Sequence, residues 1–459
     1  MSLTKYEEGS FRELLSMSCP LMFASLSVMM MTFFDRWFLA HHSTDAHNAA
    51  VGATTLGWAF IFGGISLANV AEVFVAQYNG AKIRHRLGEP VWQMIWFSLF
   101  SLLFFIPLSV WGTEFIYGHG SSSALERDYF GCMVLFGPFY CLNGALSGFF
   151  IGQGKTRLVT ILMVVANVFN VLLDWALIFG VDPWIPAMGV KGAAIATSMA
   201  VVFQCIVLGC IFFNAKNRQE CGTSNFHFKG KVLWDCLRIG FPISIFMVSE
   251  VLAFAAYYAL MKNMGAFHIT VTGICQTILI LFLFFPEGIN KATAAIVGNM
   301  IGAGRSHLVN QTMKAGLFLN GMFLVALLSV FVLCMPLIIG QFLPLADPLF
   351  IVEIEGSLGT CLILVAFYLF FEGIRMQYAG VLMAAGDSIF LFLTGALSVW
   401  VVMLLPIYFF VVLQGASVEA AVSIVVLYSI ILSVIYFIRV QRGKWRSLSI
   451  SSTLPLRTE

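Results

Sequence analysis

Charge is what this sequence has least of. Asp, Glu, Lys and Arg make up 10% of its 459 residues, where soluble domains carry about 25%. With 60% hydrophobic residues and a mean hydropathy of +0.92, too little polar surface remains to face water. That excludes a soluble enzyme and a disordered scaffold. The net charge is only +2, so no basic field exists to recruit nucleic acid. The sequence has no GxxxxGK[ST] and no HExxH, so it offers neither a Walker-type ATP site nor a helical zinc-protease site. All eight histidines (41, 42, 47, 85, 119, 227, 268 and 307) fall in loops or near the ends of apolar runs, which argues against a mid-membrane proton relay. The ten cysteines make no CxxC and read as small apolar fillers. No enzyme and no cofactor is expected.

What is present is apolar chain. A crossing helix needs ~20 apolar residues, and with its turn takes roughly 30–38 residues, which leaves room for about 12 to 15 crossings. Apolar runs bounded by charged, Gly, Pro or Asn clusters fall at 15–40, 48–77, 91–113, 127–152, 157–181, 189–213, 238–263, 268–301, 311–343, 351–385, 388–414 and 417–440. The fold class expected is therefore an all-α polytopic membrane protein with twelve transmembrane helices. The first run follows a charged tail, and no small-residue cleavage pattern comes after it, so it reads as a retained helix. The longest polar connection, 214–237, divides the chain into an N-terminal six-helix bundle (1–213) and a C-terminal one with a short tail (238–459). With the N-terminus inside, 19 of the 25 Lys and Arg fall in cytoplasmic segments, the bias expected of inward-facing loops. Both termini are expected to be cytoplasmic.

The halves resemble each other. Pro20 matches Pro242 and Gly80 matches Gly302, both at an offset of 222; Gly148 matches Gly380 and Gly154 matches Gly386, both at 232. A six-plus-six repeat of one orientation is a transporter architecture, with substrate held between the halves.

Charges inside apolar runs cost at least ~2.5–3.5 kcal/mol near a helix centre. Here they are Asp35, Glu72, Asp174, Glu250, Glu287, Lys291, Glu372 and Arg375, with Asn170 beside them. At 1.5 Å per residue from the cytoplasmic helix end, Glu250 lies ~17 Å deep, Glu372 ~20 Å, Asp174 ~24 Å and Asp35 ~31 Å. Asn170 and Asp174 are spaced i, i+4 and share a helix face. With Asp35 they could surround a small hard cation, take up protons, or form a hydrogen-bonded trio that fixes two helices. Glu250 and Glu372 form a second candidate set, and Glu372 could instead pair with Arg375 at i+3. Glu287 and Lys291, at i, i+4, read as a structural ion pair. Arg36 reads as snorkelling to the outer surface. The chain also has 45 Phe, 21 Met, 10 Trp and 12 Tyr, mostly for packing and lipid contact. Tyr257, Tyr258 and Met261, beyond Glu250, are candidate contacts for an organic cation.

These residues carry a family resemblance over nearly the whole chain. Pro20 and Asp35 mark the first helix. VAQYNGA (Val75 to Ala81) and VGNMIGAG (Val297 to Gly304) end the second and eighth. GQGKTR (Gly152 to Arg157), NVLLDWALIFG (Asn170 to Gly180) and GVKGAAIATSMA (Gly189 to Ala200) follow in order. The set resembles the multidrug and toxic compound extrusion (MATE) transporters, in their NorM-like branch. The resemblance implies a V-shaped pair of six-helix bundles in the inner membrane. It implies export of small organic cations in exchange for Na⁺ or H⁺, by a chain that needs no second copy. It also implies a first-half cation site at Asp35, Asn170, Asp174 and Thr197, and coupling acids in the second half at Glu250 and Glu372. Acids in both halves tilt the expectation towards Na⁺. A lipid-linked oligosaccharide flippase of the same superfamily is the alternative, disfavoured because only Arg36, Lys291 and Arg375 could give its cavity a positive charge.

Overall fold

A computed structural model describes residues 3–118, 124–181, 183–335, 337–338, 348–448 and 450. Twelve helices are long and apolar enough to cross a membrane. In the first half they are α1 (Phe11–His42), α2 (Leu56–Gly80), α3 (Arg84–Tyr117), α4 (Ala124–Ile151), α5 (Thr156–Phe179) and α6 (Val190–Phe212). In the second half they are α7 (Gly230–Asn263), α8 (Ala266–Gly302), α9 (Ser306–Leu333), α10 (Ile354–Ala384), α11 (Ser388–Leu413) and α12 (Val418–Gln441). The expected fold class holds. Helix α7 starts at Gly230 rather than near 238, so a polar-looking first turn hides its start. The 214–237 connection contains a short helix, Ala215–Cys221. His119, Arg457 and the end of the 311–343 run lie outside the described residues. An even number of crossings puts Leu3 and Ile450, near the two ends of the described chain, on one face, here called the terminal face.

Local chemistry shapes the crossings. Ser10 caps α1 by accepting from the Glu13 backbone N–H, and the Glu13 carboxylate accepts from Gly9 N at 2.7 Å, a reciprocal cap. Pro20 lies inside α1, and its carbonyl accepts from Thr160 Oγ1 of α5 at 2.8 Å. Helices α3 and α11 carry π-helical turns beside Pro107 and Pro406, where a missing N–H breaks the regular ladder. Helix α5 shows how a membrane reverses the usual pattern. Its Ile161, Val168, Leu172 and Trp175 are exposed towards lipid, while Thr160, Asn167, Asn170 and Asp174 are buried. Lipid solvates the apolar face, so the polar stripe turns to protein, where hydrogen-bond partners exist.

The repeat is visible atom by atom where the halves meet. A Cβ on Gly80 would lie 2.0 Å from the Asn299 carbonyl oxygen, and one on Gly302 would lie 2.0 Å from that of Gln77. Gln77 Nε2 donates to Ala384 O at 2.6 Å, and Asn299 Nδ2 donates to Gly152 O at 2.9 Å. Each contact maps onto the other by the offsets of 222 and 232. Asn79 Nδ2 donates to Asn299 Oδ1 at 2.7 Å, and at mid-depth Ser244 Oγ donates to Gly63 O at 2.7 Å. Among the described residues, side-chain hydrogen bonds between the helices of the two halves run from mid-depth to the terminal face.

Candidate functional site

The first-half residues converge from three helices. Thr197 of α6 donates to Asp35 Oδ2 of α1 at 3.1 Å, and Asn170 of α5 donates to Thr197 Oγ1 at 3.4 Å. The Thr197 hydroxyl also lies 3.1 Å from Ala193 O, so its single proton is shared between two acceptors. The Asp35 and Asp174 carboxyls lie close to each other, with no donor between them. Asn170 and Asp174 are fully buried, and Asp35 and Thr197 nearly so. Asp35 Oδ1, Asn170 Oδ1 and both Asp174 oxygens have no hydrogen-bond partner. Each such buried atom costs about 1–3 kcal/mol unless something satisfies it.

Beside this cluster is a cavity of about 20 Å³, lined by Asp35, Thr197, Thr54, Tyr129 and Arg36 among others. A space needs only about 10–15 Å³ to hold one water, so it suits a single small guest. The donor set is two carboxylates, an amide and a hydroxyl, all oxygen, as hard cations require. Among the described residues, no three His, Cys, Asp or Glu side chains gather as they would for a transition metal. Arg36 is exposed at the cavity wall, with Asp35 buried beside it.

The second-half acids are arranged differently. Arg375 is 2% exposed; its Nε donates to Glu372 Oε2 at 2.7 Å, and its Nη2 bonds Glu372 Oε1. The same Nη2 lies 3.1 Å from Glu250 Oε1, which also accepts from Tyr428 Oη at 3.0 Å. One guanidinium therefore joins both carboxylates and lies over the Phe246 ring at 5.8 Å. The Glu372–Arg375 pairing weighed from the i, i+3 spacing forms. Glu250, from another helix, joins it, which spacing along one helix could not reveal. Tyr428 was not singled out either, because a lone Tyr in an apolar run carries no signal.

Tyr257 and Tyr258 line a second cavity of about 20 Å³ with Thr272, Gln276 and Val365. It is the repeat counterpart of the first. Tyr257, Thr272 and Gln276 match Asp35, Ala50 and Thr54 at an offset of 222, and Val365 matches Met133 at 232. The second half thus has the cavity with a phenol in place of the carboxylate. Met261 is fully buried and is not part of the wall. The expected Glu287–Lys291 ion pair is absent among the described residues; Lys291 lies within electrostatic reach of Glu72 of the other half without forming an ion pair with it, because α8 lies at the boundary between the halves.

A family model described as MatE matches residues 20–176 and 242–409. A probable multidrug resistance protein NorM of Synechocystis sp. is 26% identical over 427 residues, covering 90% of this chain and 90% of that one. Its namesake in Thermotoga maritima is 26% identical over 458 residues, covering 96% and 94%. Among solved structures, a MATE protein in the straight conformation superposes with a TM-score of 0.84 at 16% identity, over 96% of this chain and 97% of that one. An outward-facing multidrug resistance MATE transporter of the MOP superfamily gives 0.81 at 17% identity, over 96% and 97%. At such identities the superpositions speak for the fold.

Proposed function

The chain belongs to the MATE family of multidrug transporters, and from that membership we propose that it is a cation-coupled antiporter. It exports small organic cations across the cell's inner membrane in exchange for Na⁺ or H⁺. The terminal face is the cytoplasmic one, a reading supported by the Lys and Arg gathered in its loops. The observation that carries the proposal is the first-half cluster, where four buried oxygens lack hydrogen-bond partners. Natural proteins rarely leave such atoms unpaired. A Na⁺ ion would draw on all four side chains. A proton on one carboxyl would let it donate to the other. In either case the cluster prefers to be loaded.

Coupling is assigned to the first half. In the second, Arg375 already gives Glu372 and Glu250 a cation from within the chain, so a second ion from solution has less to gain there. An exchange cycle requires that ion and drug favour opposite conformations, since each shifts the equilibrium only by its differential affinity. The ion enters from outside, loads Asp35, Asn170, Asp174 and Thr197, and tightens α1 against α5 and α6. The drug is released outside. Once the ion leaves to the cytoplasm, the carboxylates regain their negative charge, and the next cationic drug finds a favourable field.

The test uses proteoliposomes of the purified protein with ethidium, under a Na⁺ gradient or a pH gradient, each with the membrane potential clamped. Dye moving against its own gradient under one of them, and failing in Asp35→Asn and Asp174→Asn, is the expected result and identifies the ion. Normal gradient-driven export by both variants overturns the site. No movement under either gradient overturns the antiporter.

A further inference from the structure

Under the first half, on the cytoplasmic face, is a cavity of about 410 Å³. Four cationic side chains line it: Lys82 from the α2–α3 loop, Arg84 from the first turn of α3, Lys155 from the α4–α5 loop, and Lys216 from the helix Ala215–Cys221. Glu220 is the one carboxylate in its lining. Other cations nearby are matched: Arg86 and Lys229 both pair with Glu89 at 2.9 Å. Lys82, Lys155 and Lys216 have no carboxylate within ion-pair distance among the described residues. Lys155 Nζ donates instead to Gln153 Oε1 at 2.8 Å.

Two further observations set this cluster apart from an ordinary basic rim. Lys82 has a φ of 62°, and no other non-glycine residue among those described has a positive φ. The turn that ends α2 sets it, with Lys82 N–H returning to Asn79 O and Ile83 N–H to Tyr78 O, so a lysine stands at the cavity wall in a left-handed position that glycine more often fills. Partial desolvation at the cavity wall, with Lys216 and Arg84 beside it, also pushes the Lys155 ammonium below the usual lysine range, although Cys221 and Glu220 act the other way. Like charges here are held together at a cost that an anion would relieve.

We propose that this cavity binds an anion carrying a phosphate group, held by Lys82, Arg84, Lys155 and Lys216. Phosphate fits because its oxygens accept from several directions at once, and its charge matches a site with several cations and one carboxylate. A basic pocket at the cytoplasmic ends of membrane helices is also where an anionic headgroup of the inner leaflet arrives. A lipid headgroup and a soluble phosphate share that chemistry, and the experiment separates them. Binding is independent of the transport reading and is measured without it.

The measurement is calorimetric titration of the intact purified protein in chloride buffer. The probes are inorganic phosphate, dihexanoyl phosphatidylglycerol and, as the zwitterionic control with no net headgroup charge, dihexanoyl phosphatidylcholine. Saturable binding of phosphate or the anionic lipid, weakened about tenfold or more in Lys155→Gln/Lys216→Gln and unchanged in Arg442→Gln, an exposed arginine at the end of α12 outside the cavity lining, is expected. Both lysines are exposed, so the packing survives; Lys82→Gln, made alone, gives a second reading. Binding of the phosphatidylglycerol alone names a lipid headgroup; binding of phosphate alone names a soluble ligand. No saturable binding of either, or affinity unchanged in the double variant and in Lys82→Gln, overturns the site.

Discussion

Adding one methyl group at Gly80 tests the seam that holds the terminal face together. The Cβ of Gly80→Ala would start 2.0 Å from the Asn299 carbonyl oxygen, where ordinary contact begins at 3.4 Å. The obstacle is backbone, so no rotamer relieves it, and α2 and α8 have to separate by about 1.4 Å. That retreat strains three hydrogen bonds: Asn79 to Asn299, Asn299 to Gly152, and Gln77 to Ala384. At about 0.5–1.5 kcal/mol each, their loss costs the closed side roughly 2–4 kcal/mol. This shifts the balance of closed and open forms by about 30- to 1000-fold. Hydrogen exchange at residues 76–80 and 298–302 reads that balance. Gly302→Ala, facing Gln77 at the same 2.0 Å, should behave like Gly80→Ala. Gly321→Ala, whose Cβ meets nothing within 4 Å, should leave exchange unchanged. Protection at wild-type level in Gly80→Ala, or a large difference between the two seam variants, would refute the symmetric-seam argument.

Thr197→Val should weaken the apparent affinity for the coupling ion by about tenfold, since it deletes one charge-assisted partner of Asp35; an unchanged ion dependence of ethidium export would count against the site. Arg375→Met leaves two carboxylates in a buried pocket with no cation, which should cost about 3–5 kcal/mol and lower the melting temperature; adding Glu372→Gln should recover part of it. An unaltered melting curve for Arg375→Met would show that the triad carries no stability. Gly386, at a φ of +79°, would place a Cβ 2.8 Å from the Ile450 side chain, so Gly386→Ala should cost about 1–2 kcal/mol, read in the same melting assay; equal stability would sink that argument.

The sequence by itself determined that the chain crosses a membrane twelve times and repeats itself once. Hydropathy and glycine spacing encode both, because a bilayer requires long uninterrupted apolar runs and a close helix approach requires a missing side chain. It also picked out Asp35, Asn170 and Asp174, since a carboxylate inside an apolar run stands out by its cost. Thr197 was legible only through the family pattern, because a threonine in an apolar helix costs little. Tertiary structure alone decided which charge meets which. Arg375 reaches Glu250 across helices as well as Glu372 along its own, and Lys291 makes no ion pair with Glu287 despite the i, i+4 spacing. Pairing between helices depends on how each is rotated about its axis, and packing against neighbours sets that rotation. The same holds for the basic cavity. Lys82, Arg84, Lys155 and Lys216 are spread over more than a hundred residues, and only the folded bundle brings their loops together.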